Sequence, residues 1–257
     1  MKLAIIIPAK NEEARIGDTL EAYLSYFQKR FKNDFELLVV LNGCTDNTLK
    51  IIQQIQKKYK QLLCKDIKEA IGKGRALITG FHSVDADLIG YVDADMSTSP
   101  EAFDDLIQKL ENFDGAFASR WISGAVVSPK QPFIRRVASR NFNLLTNLLF
   151  GLHVKDSQCG AKVFRMGALF KVYDELAITN WAFDVNLLFL LKLHGFRIKE
   201  VPTVWHDSLG SQLKITKASV QMFFSLLRLR LIYSPFHWII GVYDKFPENL
   251  KLHHRIK

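Results

Sequence analysis

Leu88-Ile-Gly-Tyr-Val-Asp-Ala-Asp-Met-Ser-Thr-Ser-Pro-Glu101 is the stretch on which the reading of this chain turns. An apolar run from Leu88 to Val92 ends in two carboxylates, Asp93 and Asp95. A polar, turn-prone segment and Pro100 follow. The pattern predicts a buried strand that delivers two acids to its C-terminal end, the edge at which open α/β sheets bind ligands. Residues two apart on a strand face the same side, so both acids can meet one ligand. Paired hard oxygen donors beside a turn suit Mg2+ or Mn2+ carrying a phosphate. An Asp-x-Asp also occurs in ordinary solvated loops, so its meaning depends on its surroundings.

Upstream, strands and helices alternate. Leu3 to Ile7 is β-branched and apolar, bounded by Pro8, and reads as a buried parallel strand. Pro8-Ala-Lys-Asn-Glu-Glu13 is its loop, with Asn11 expected to cap a helix reaching about Phe27. Phe35 to Leu41 predicts a second strand, and Asn42-Gly-Cys-Thr-Asp-Asn-Thr48 its loop. A helix to about Lys58 and a short strand near Leu62 to Lys65 come next. Gly72-Lys-Gly-Arg-Ala-Leu-Ile-Thr-Gly80 is a glycine-bearing loop opening a helix, a place where backbone can approach a phosphate closely. It has neither the spacing of a P-loop nor the position of a dinucleotide fingerprint. Over the first 120 residues this alternation predicts an α/β fold, with helices flanking a mostly parallel central sheet.

Downstream, Phe117-Ala-Ser-Arg-Trp121 ends another short strand at Arg120, and Phe133 to Phe150 reads as a helix opening with Arg135, Arg136, Ser139 and Arg140. Arg135 and Ser139 are four apart, hence on one helix face, where guanidinium and hydroxyl could clamp an anion. Asp156-Ser-Gln-Cys-Gly-Ala-Lys-Val-Phe164 suits the wall of a polar pocket, with Asp156 and Gln158 lining it. Trp181-Ala-Phe-Asp184 precedes an apolar helix, Val185 to Leu193, with Asp184 capping it or pointing into the pocket. Arg197 to Trp205 predicts a further strand whose Pro202 fits an edge.

Of the 257 residues, 48% are hydrophobic and 24% charged, ordinary for a protein with a substantial core. The net charge of +9 is uneven: residues 187–257 carry 11 Lys/Arg against 4 Asp/Glu. Such a basic third suits an anionic partner: phosphate, nucleic acid or an anionic membrane surface. A nucleic-acid partner is disfavoured, because no recognised motif or aromatic-interleaved basic strand is present. Three widely spaced cysteines, Cys44, Cys64 and Cys159, show no zinc spacing and fit a reducing compartment. The first apolar run is too short for a signal peptide, and no stretch reaches the roughly 18–20 apolar residues of a membrane span. Ala218 to Tyr243 is rich in apolar and aromatic residues, interrupted at Pro235, and is followed by the basic tail Lys251 to Lys257. Its composition suits one or two amphipathic helices lying in the headgroup region. The expected organisation is one domain over residues 1–214 and a basic, membrane-interfacial attachment over 215–257.

In their order, these stretches resemble the inverting family 2 glycosyltransferases with the GT-A fold. Pro8-Ala-Lys-Asn-Glu12 looks like the family's opening Pro-x-x-Asn-Glu, and Asn42-Gly-Cys-Thr-Asp-Asn-Thr48 like its Asp-Gly-Ser-x-Asp-Gly-Thr turn. Gly72-Lys-Gly-Arg-Ala matches its Gly-x-Gly-x-Ala loop, and Asp93-Ala-Asp95 its metal motif. Ser119-Arg120, Arg135 and Ser139 sit where the dolichyl-phosphate mannose synthase subgroup binds lipid phosphate. The segments at Asp156–Phe164, Trp181–Asp184, Glu200–Pro202 and Gly210-Ser211 look closest to the dolichyl-phosphate β-glucosyltransferase branch. Two positions depart from the pattern: Leu41-Asn42 replaces a pair of acids, and Ser97 stands where the mannose synthases carry Gln.

The resemblance implies a metal-dependent hexosyltransferase moving a sugar from a nucleotide donor, UDP-glucose or a similar hexose, to a polyprenyl phosphate. Pro8, Glu12, Asn42, Asp46 and Lys73 would bind the donor, with Asp93 and Asp95 holding Mg2+ or Mn2+ under its diphosphate. Arg120, Arg135 and Ser139 would hold the acceptor phosphate. The alternative is transfer to a hydroxyl of a soluble or glycolipid acceptor, with Asp156 or Asp184 as base. The branch's frequent N-terminal membrane helix is not seen here, so the expected location is peripheral, on the cytoplasmic face of a membrane, held by the C-terminal segment.

Overall fold

β1 (Leu3–Ala9) is buried along nearly its whole length and has a parallel neighbour on each side. These are β2 (Phe35–Asn42) and β4 (Leu88–Tyr91), with β3 (Leu62–Ile67) outside β2. The protein's structure is a computed structural model describing residues 1–177, 182–206 and 215–238. The sheet continues through β7 (Lys162–Arg165), β5 (Gly115–Ser119) and β8 (Ile198–Pro202), giving the order β3-β2-β1-β4-β7-β5-β8. β7 runs antiparallel to both its neighbours, and every other pairing is parallel. One reversed strand therefore joins two parallel blocks. A small second sheet pairs β6 (Val126–Ser128) with β9 (Val204–His206).

Alternation along β1 divides the core. Leu3, Ile5 and Ile7 pack under α1 (Ile16–Phe31), α2 (Thr48–Gln56) and α4 (Pro100–Gln108). Ala4 and Ile6 face α3 (Lys73–Phe81), α6 (Met166–Phe170) and α7 (Phe183–Leu193). Helices on both faces explain why the central strands read as apolar runs rather than alternating ones. A third cluster lies under α5 (Phe133–Phe150), where Phe142 and Phe150 meet Val185 of α7 and Leu226 and Leu229 of α8 (Ile215–Ile232).

The sequence reading needs correction in several places. Asn11 does not cap α1. Residues 12–15 form a turn in which the Glu12 carbonyl accepts from the Arg15 and Ile16 amides, so the helix starts at Ile16. Asn11 sits at φ 55° and its Oδ1 accepts from the Thr45 amide at 2.8 Å, tying two loops together. The strand expected from Arg197 to Trp205 is two strands. It breaks at Thr203, whose amide bonds to the Ser119 carbonyl, and β8 ends at the sheet edge on Pro202. The strand before the two acids stops at Tyr91, so a turn presents them rather than a strand.

α8 docks on the domain through Leu226 and Leu229. The Tyr233 hydroxyl extends the attachment by accepting from Asn186 Nδ2 at 3.0 Å and donating to the Glu175 carbonyl at 3.1 Å. Phe223, Phe224, Phe236 and Trp238 stay exposed. Among the described residues no helix is long and apolar enough to cross a membrane. Trp181, Gly210, Ser211, Lys214 and the basic tail Lys251 to Lys257 lie outside the described residues.

β4 has no room for a side chain at Gly90. A Cβ there would stand 2.5 Å from the Phe103 ring and 2.7 Å from the Lys162 carbonyl of β7. Gly90→Ala should cost about 1–3 kcal/mol through overpacking, read as a lower denaturation midpoint in urea at unchanged slope.

Candidate active site

Asp93 and Asp95 project from a turn braced on two sides. Beneath it, α1 sends up two hydroxyls: Thr19 Oγ1 donates to the Ala94 carbonyl at 2.9 Å and Tyr23 to the Thr98 carbonyl at 2.8 Å. On the far side the His206 amide of β9 donates to the Ser97 carbonyl, and Thr98 bridges to Trp205. Asp95 Oδ1 accepts from the Ser97 amide at 3.0 Å, closing the turn on itself. Lys73 Nζ reaches Asp93 Oδ1 at 2.5 Å from the first residue of α3.

Two observations say what this corner accommodates. A Cβ on Gly160 would stand 1.9 Å from Asp93 Oδ2, so only glycine lets the chain pass beside that carboxylate. Glu12, next along the rim, has its carboxyl raised above the ordinary range by burial, and the fields of Asp95 and Asp93 add to this against the opposing Arg15. Three acids share two cations here, Lys73 against Asp93 and Arg15 against Glu12 and Asp95, and the carboxylate left in excess fits a divalent metal. Among the described residues no group of three His, Cys, Asp or Glu forms a complete ligand set. A cation here would take Asp93 and Asp95 and fill its remaining positions with phosphate oxygens and water, as Mg2+ commonly does.

The loops at the strand ends are cross-tied. Asn42 Oδ1, buried at the end of β2, accepts from the Ile71 and Gly72 amides at 2.6 and 3.0 Å and so holds the glycine loop that positions Lys73. Asp46 accepts from the Thr48 hydroxyl at 2.6 Å, the Thr48 amide and the Glu13 amide. Burial opposes its ionisation, yet those bonds outweigh it and hold the carboxyl below its usual range. The Glu12 amide donates to Thr48 Oγ1 at 2.9 Å. Pro8, near the end of β1, borders the same group of loops. The five donor-side residues named from sequence thus converge at the C-terminal ends of β1 and β2 and the start of α3, beside the acid turn that follows β4. Asn42 and Asp46 spend carboxyl or amide oxygens on shaping the loops.

The relatives point the same way. A profile described as glycosyl transferase family 2 matches residues 4–172. The chain belongs to that family. It is 29% identical to the dolichyl-phosphate beta-glucosyltransferase of Saccharomyces cerevisiae, with 94% of this chain and 76% of the yeast protein covered. The human protein of the same name is 30% identical over 92% of this chain and 77% of its own length. Among solved structures, glucosyl-3-phosphoglycerate synthase from Mycobacterium tuberculosis, in complex with Mn2+, UDP and phosphoglyceric acid, superposes with a TM-score of 0.67. It is 19% identical and covers 91% of this chain and 80% of its own. The expected GT-A fold is present.

In this family 2 chain, Arg120 leaves the end of β5 and turns back on Asp156. Nε and the backbone amide meet Oδ2 at 2.7 and 2.9 Å, and Nη2 meets Oδ1 at 2.8 Å. Asp156 is fully buried, and the Trp205 ring lies 4.9 Å from the guanidinium carbon. Burial works against the charge on Arg120, but the paired carboxylate overrides this and keeps it protonated. One edge of the guanidinium, with Nη1, remains beyond the Asp156 pair. The indole N–H groups of Trp121 and Trp205 are buried with no acceptor among the described residues. Arg135 and Ser139 share the α5 face that carries Asn143, whose Oδ1 accepts from the Ser157 amide and hydroxyl at 2.9 and 2.8 Å. Gln158 follows in the same segment, half-buried.

Lys162 is a functional neighbour that sequence placed wrongly. It reads as a pocket-wall cation, but its side chain is entirely buried. Nζ donates to Asp184 Oδ1 and to the Cys159 carbonyl, both at 2.6 Å, and the Tyr91 hydroxyl donates to the same Asp184 oxygen at 2.5 Å. Asp184 therefore does not cap α7; its carboxylate points inward onto Lys162 and Tyr91. Burial disfavours its charge, but Lys162 and Lys73 more than compensate, and its carboxyl lies below the usual range. Trp205 carried no local signal, and Glu200 stood out only through the resemblance of Glu200–Pro202 to the family pattern. Glu200 accepts from the Lys155 and Asp156 amides, and only the register of β8 and β9 brings these residues to the site.

Asp184→Asn leaves the Lys162 ammonium buried without an anion and should cost about 3–5 kcal/mol. A carboxyl depressed by folding stabilises above its unfolded value, about 3.9, and ceases to as pH falls through its folded value. Denaturant titrations should therefore show the gap between wild type and Asp184→Asn closing below about pH 4.

Proposed function

We propose that the chain transfers a hexose, glucose in the first instance, from a nucleotide sugar to a polyprenyl phosphate with inversion at the anomeric carbon. The observation that carries this reading is the state of the two carboxylates available as bases. Asp156 is locked to Arg120 and Asp184 to Lys162, both in buried pairs. A hydroxyl acceptor needs a base close to the working pH, whereas a phosphate arrives already anionic. The relatives' name, dolichyl-phosphate beta-glucosyltransferase, agrees with a phosphate acceptor.

The residues divide the work as follows. Pro8, Glu12, Asn42 and Asp46 shape the nucleotide end, and Lys73 brings a cation to the diphosphate end. Asp93 and Asp95 would hold Mg2+ or Mn2+. The metal would supply charge neutralisation for the departing nucleoside diphosphate. Arg120 offers its free edge to the acceptor phosphate, aimed by Asp156 and Trp205. The Trp205 ring lies against Arg120 and Trp121 follows it in the chain; an acceptor oxygen reaching either indole N–H would recover about 1–3 kcal/mol for a buried donor left unpaired among the described residues. Arg135 and Ser139 extend this cradle along α5. Holding the phosphate in line with the anomeric carbon is the main service these groups perform. Residues 1–214 carry this chemistry, and 215–257 serve as a basic C-terminal segment of a protein peripheral on the cytoplasmic face of a membrane.

Labelled UDP-glucose offered with undecaprenyl phosphate, and separately with soluble sugars, tests the reading. Label should enter the lipid fraction, and transfer confined to soluble sugar would overturn the proposal. Replacing UDP-glucose by GDP-sugars in the same assay identifies the base and the hexose. Asp95→Ala should abolish transfer with the melting temperature kept, and full activity in EDTA would remove the metal role. Arg135→Ala should raise the apparent KM for lipid phosphate about tenfold or more, as loss of a charged hydrogen bond does, and leave the donor KM nearly unchanged.

A further inference from the structure

α5 has two faces of opposite character. Its inner face carries buried Phe142, Asn143, Thr146 and Phe150. Its outer face carries Phe133, Ile134, Val137, Leu144 and Leu148, exposed by 71, 67, 40, 59 and 75%. Positions 133, 137, 144 and 148 follow helical spacing, so these side chains form one continuous stripe directly opposite the buried one. A soluble surface helix is expected to show the reverse pattern, with charges outward. A contiguous exposed apolar patch of this kind marks an interaction surface.

The charge around the stripe says what the partner is. From Gly115 to Lys155 the chain holds six cationic residues, Arg120, Lys130, Arg135, Arg136, Arg140 and Lys155, and no Asp or Glu. Aromatic rings accompany them: Arg136 stacks on Phe133 and Arg140 on Trp121, at 5.8 and 5.3 Å from the ring centres. Apolar side chains flanked by arginine, lysine and aromatic rings, with no acid among them, complement the anionic interface of a bilayer. A protein partner binding such a face would need an acidic rim around an apolar centre, and a second copy of this chain would bring the same cations against themselves.

The position of the stripe fits this partner. The inner face of α5 is stapled to the segment carrying Asp156: Asn143 holds Ser157, and Asn147 exchanges two hydrogen bonds with the Val154 backbone, at 2.7 and 3.1 Å. Asp156 in turn grips Arg120. One helix thus faces the exterior with its apolar side and supports the anion site with its polar side.

We infer that the outer face of α5 is a membrane-docking surface, which inserts Phe133, Ile134, Val137, Leu144 and Leu148 into the headgroup boundary of an anionic bilayer. The inference rests on the lipid-phosphate reading for its purpose, and moves the principal membrane contact from the C-terminal segment to the centre of the chain.

Flotation with phosphatidylglycerol-containing and with pure phosphatidylcholine vesicles tests it on the full chain. Wild type should float with the anionic vesicles, more weakly at high salt. Leu144→Gln with Leu148→Gln should lower the partition coefficient roughly tenfold or more at an unchanged melting temperature, since both side chains are exposed. Lys130→Gln with Arg136→Gln should weaken binding to the anionic vesicles alone. Flotation of the leucine variant equal to wild type, or flotation indifferent to lipid charge, overturns the inference. So does a wild-type dimer in sedimentation that the leucine variant dissolves, with no vesicle binding. Sugar transfer to undecaprenyl phosphate in detergent micelles is measured alongside. Failure there with stripe-dependent flotation would remove the acceptor reading and leave the docking surface standing.

Discussion

The ammonium of Lys162 is fully buried, and the site is assembled around the need to satisfy it. A lone buried cation is strongly unfavourable, so Asp184 and the Cys159 carbonyl must lie where they do. Lys162 begins β7, the one reversed strand, and stands in register with Tyr91 of β4 and Phe117 of β5. β4 leads to Asp93 and Asp95; β5 leads to Arg120. The buried pair therefore fixes the joint between the strand that brings the acids and the strand that brings the arginine. Gly160, two residues earlier, runs against Asp93 with no room for a side chain, so the same joint sets the height of the first carboxylate.

Around that joint, single residues serve two elements at once. Trp205 bridges to the acid turn through its backbone at Thr98 and lies under Arg120 with its ring. Asn42 closes β2 and clamps the glycine loop. Lys73 opens α3 and pairs with Asp93, while its charge is felt by Asp184. Such sharing makes the site a connected polar network, in which each bond strengthens its neighbours. Substitutions here are expected to be non-additive for the same reason.

The first half of the chain was readable because its signals are local. Apolar runs such as Leu3 to Ile7 and Phe35 to Leu41, each ended by a polar loop, predict buried strands and place their C-terminal ends together. The order of those loops carried the resemblance to family 2. The second half depends on contacts distant in sequence. β7 is short, reversed and inserted between β4 and β5, and nothing in Lys162-Val-Phe-Arg165 states its direction or its partners. Asp156 and Asp184 were read as pocket acids because a sequence shows a carboxylate but not the cation brought against it. Asn11 was misplaced because an asparagine before a helical pattern resembles a cap, whereas the competing acceptor role toward Thr45 comes from another loop.

The two-faced character of α5 has a geometric consequence. An α-helix with its side chains is about 10–12 Å across. With the stripe in the headgroup boundary and Asn143, Ser157 and Asp156 on the other side, Arg120 stands roughly one helix diameter above the hydrocarbon edge. A headgroup layer, half the difference between the ~30 Å hydrocarbon core and the ~40–45 Å full bilayer, is about 5–7 Å deep, so the guanidinium stands roughly 5 Å beyond it. A lipid whose phosphate tops an apolar chain can meet the guanidinium by rising that far while its tail stays immersed. The helix thus acts as a spacer: it sets the working distance between bilayer and sugar donor, and lengthening the acceptor's isoprenoid tail would leave that distance unchanged.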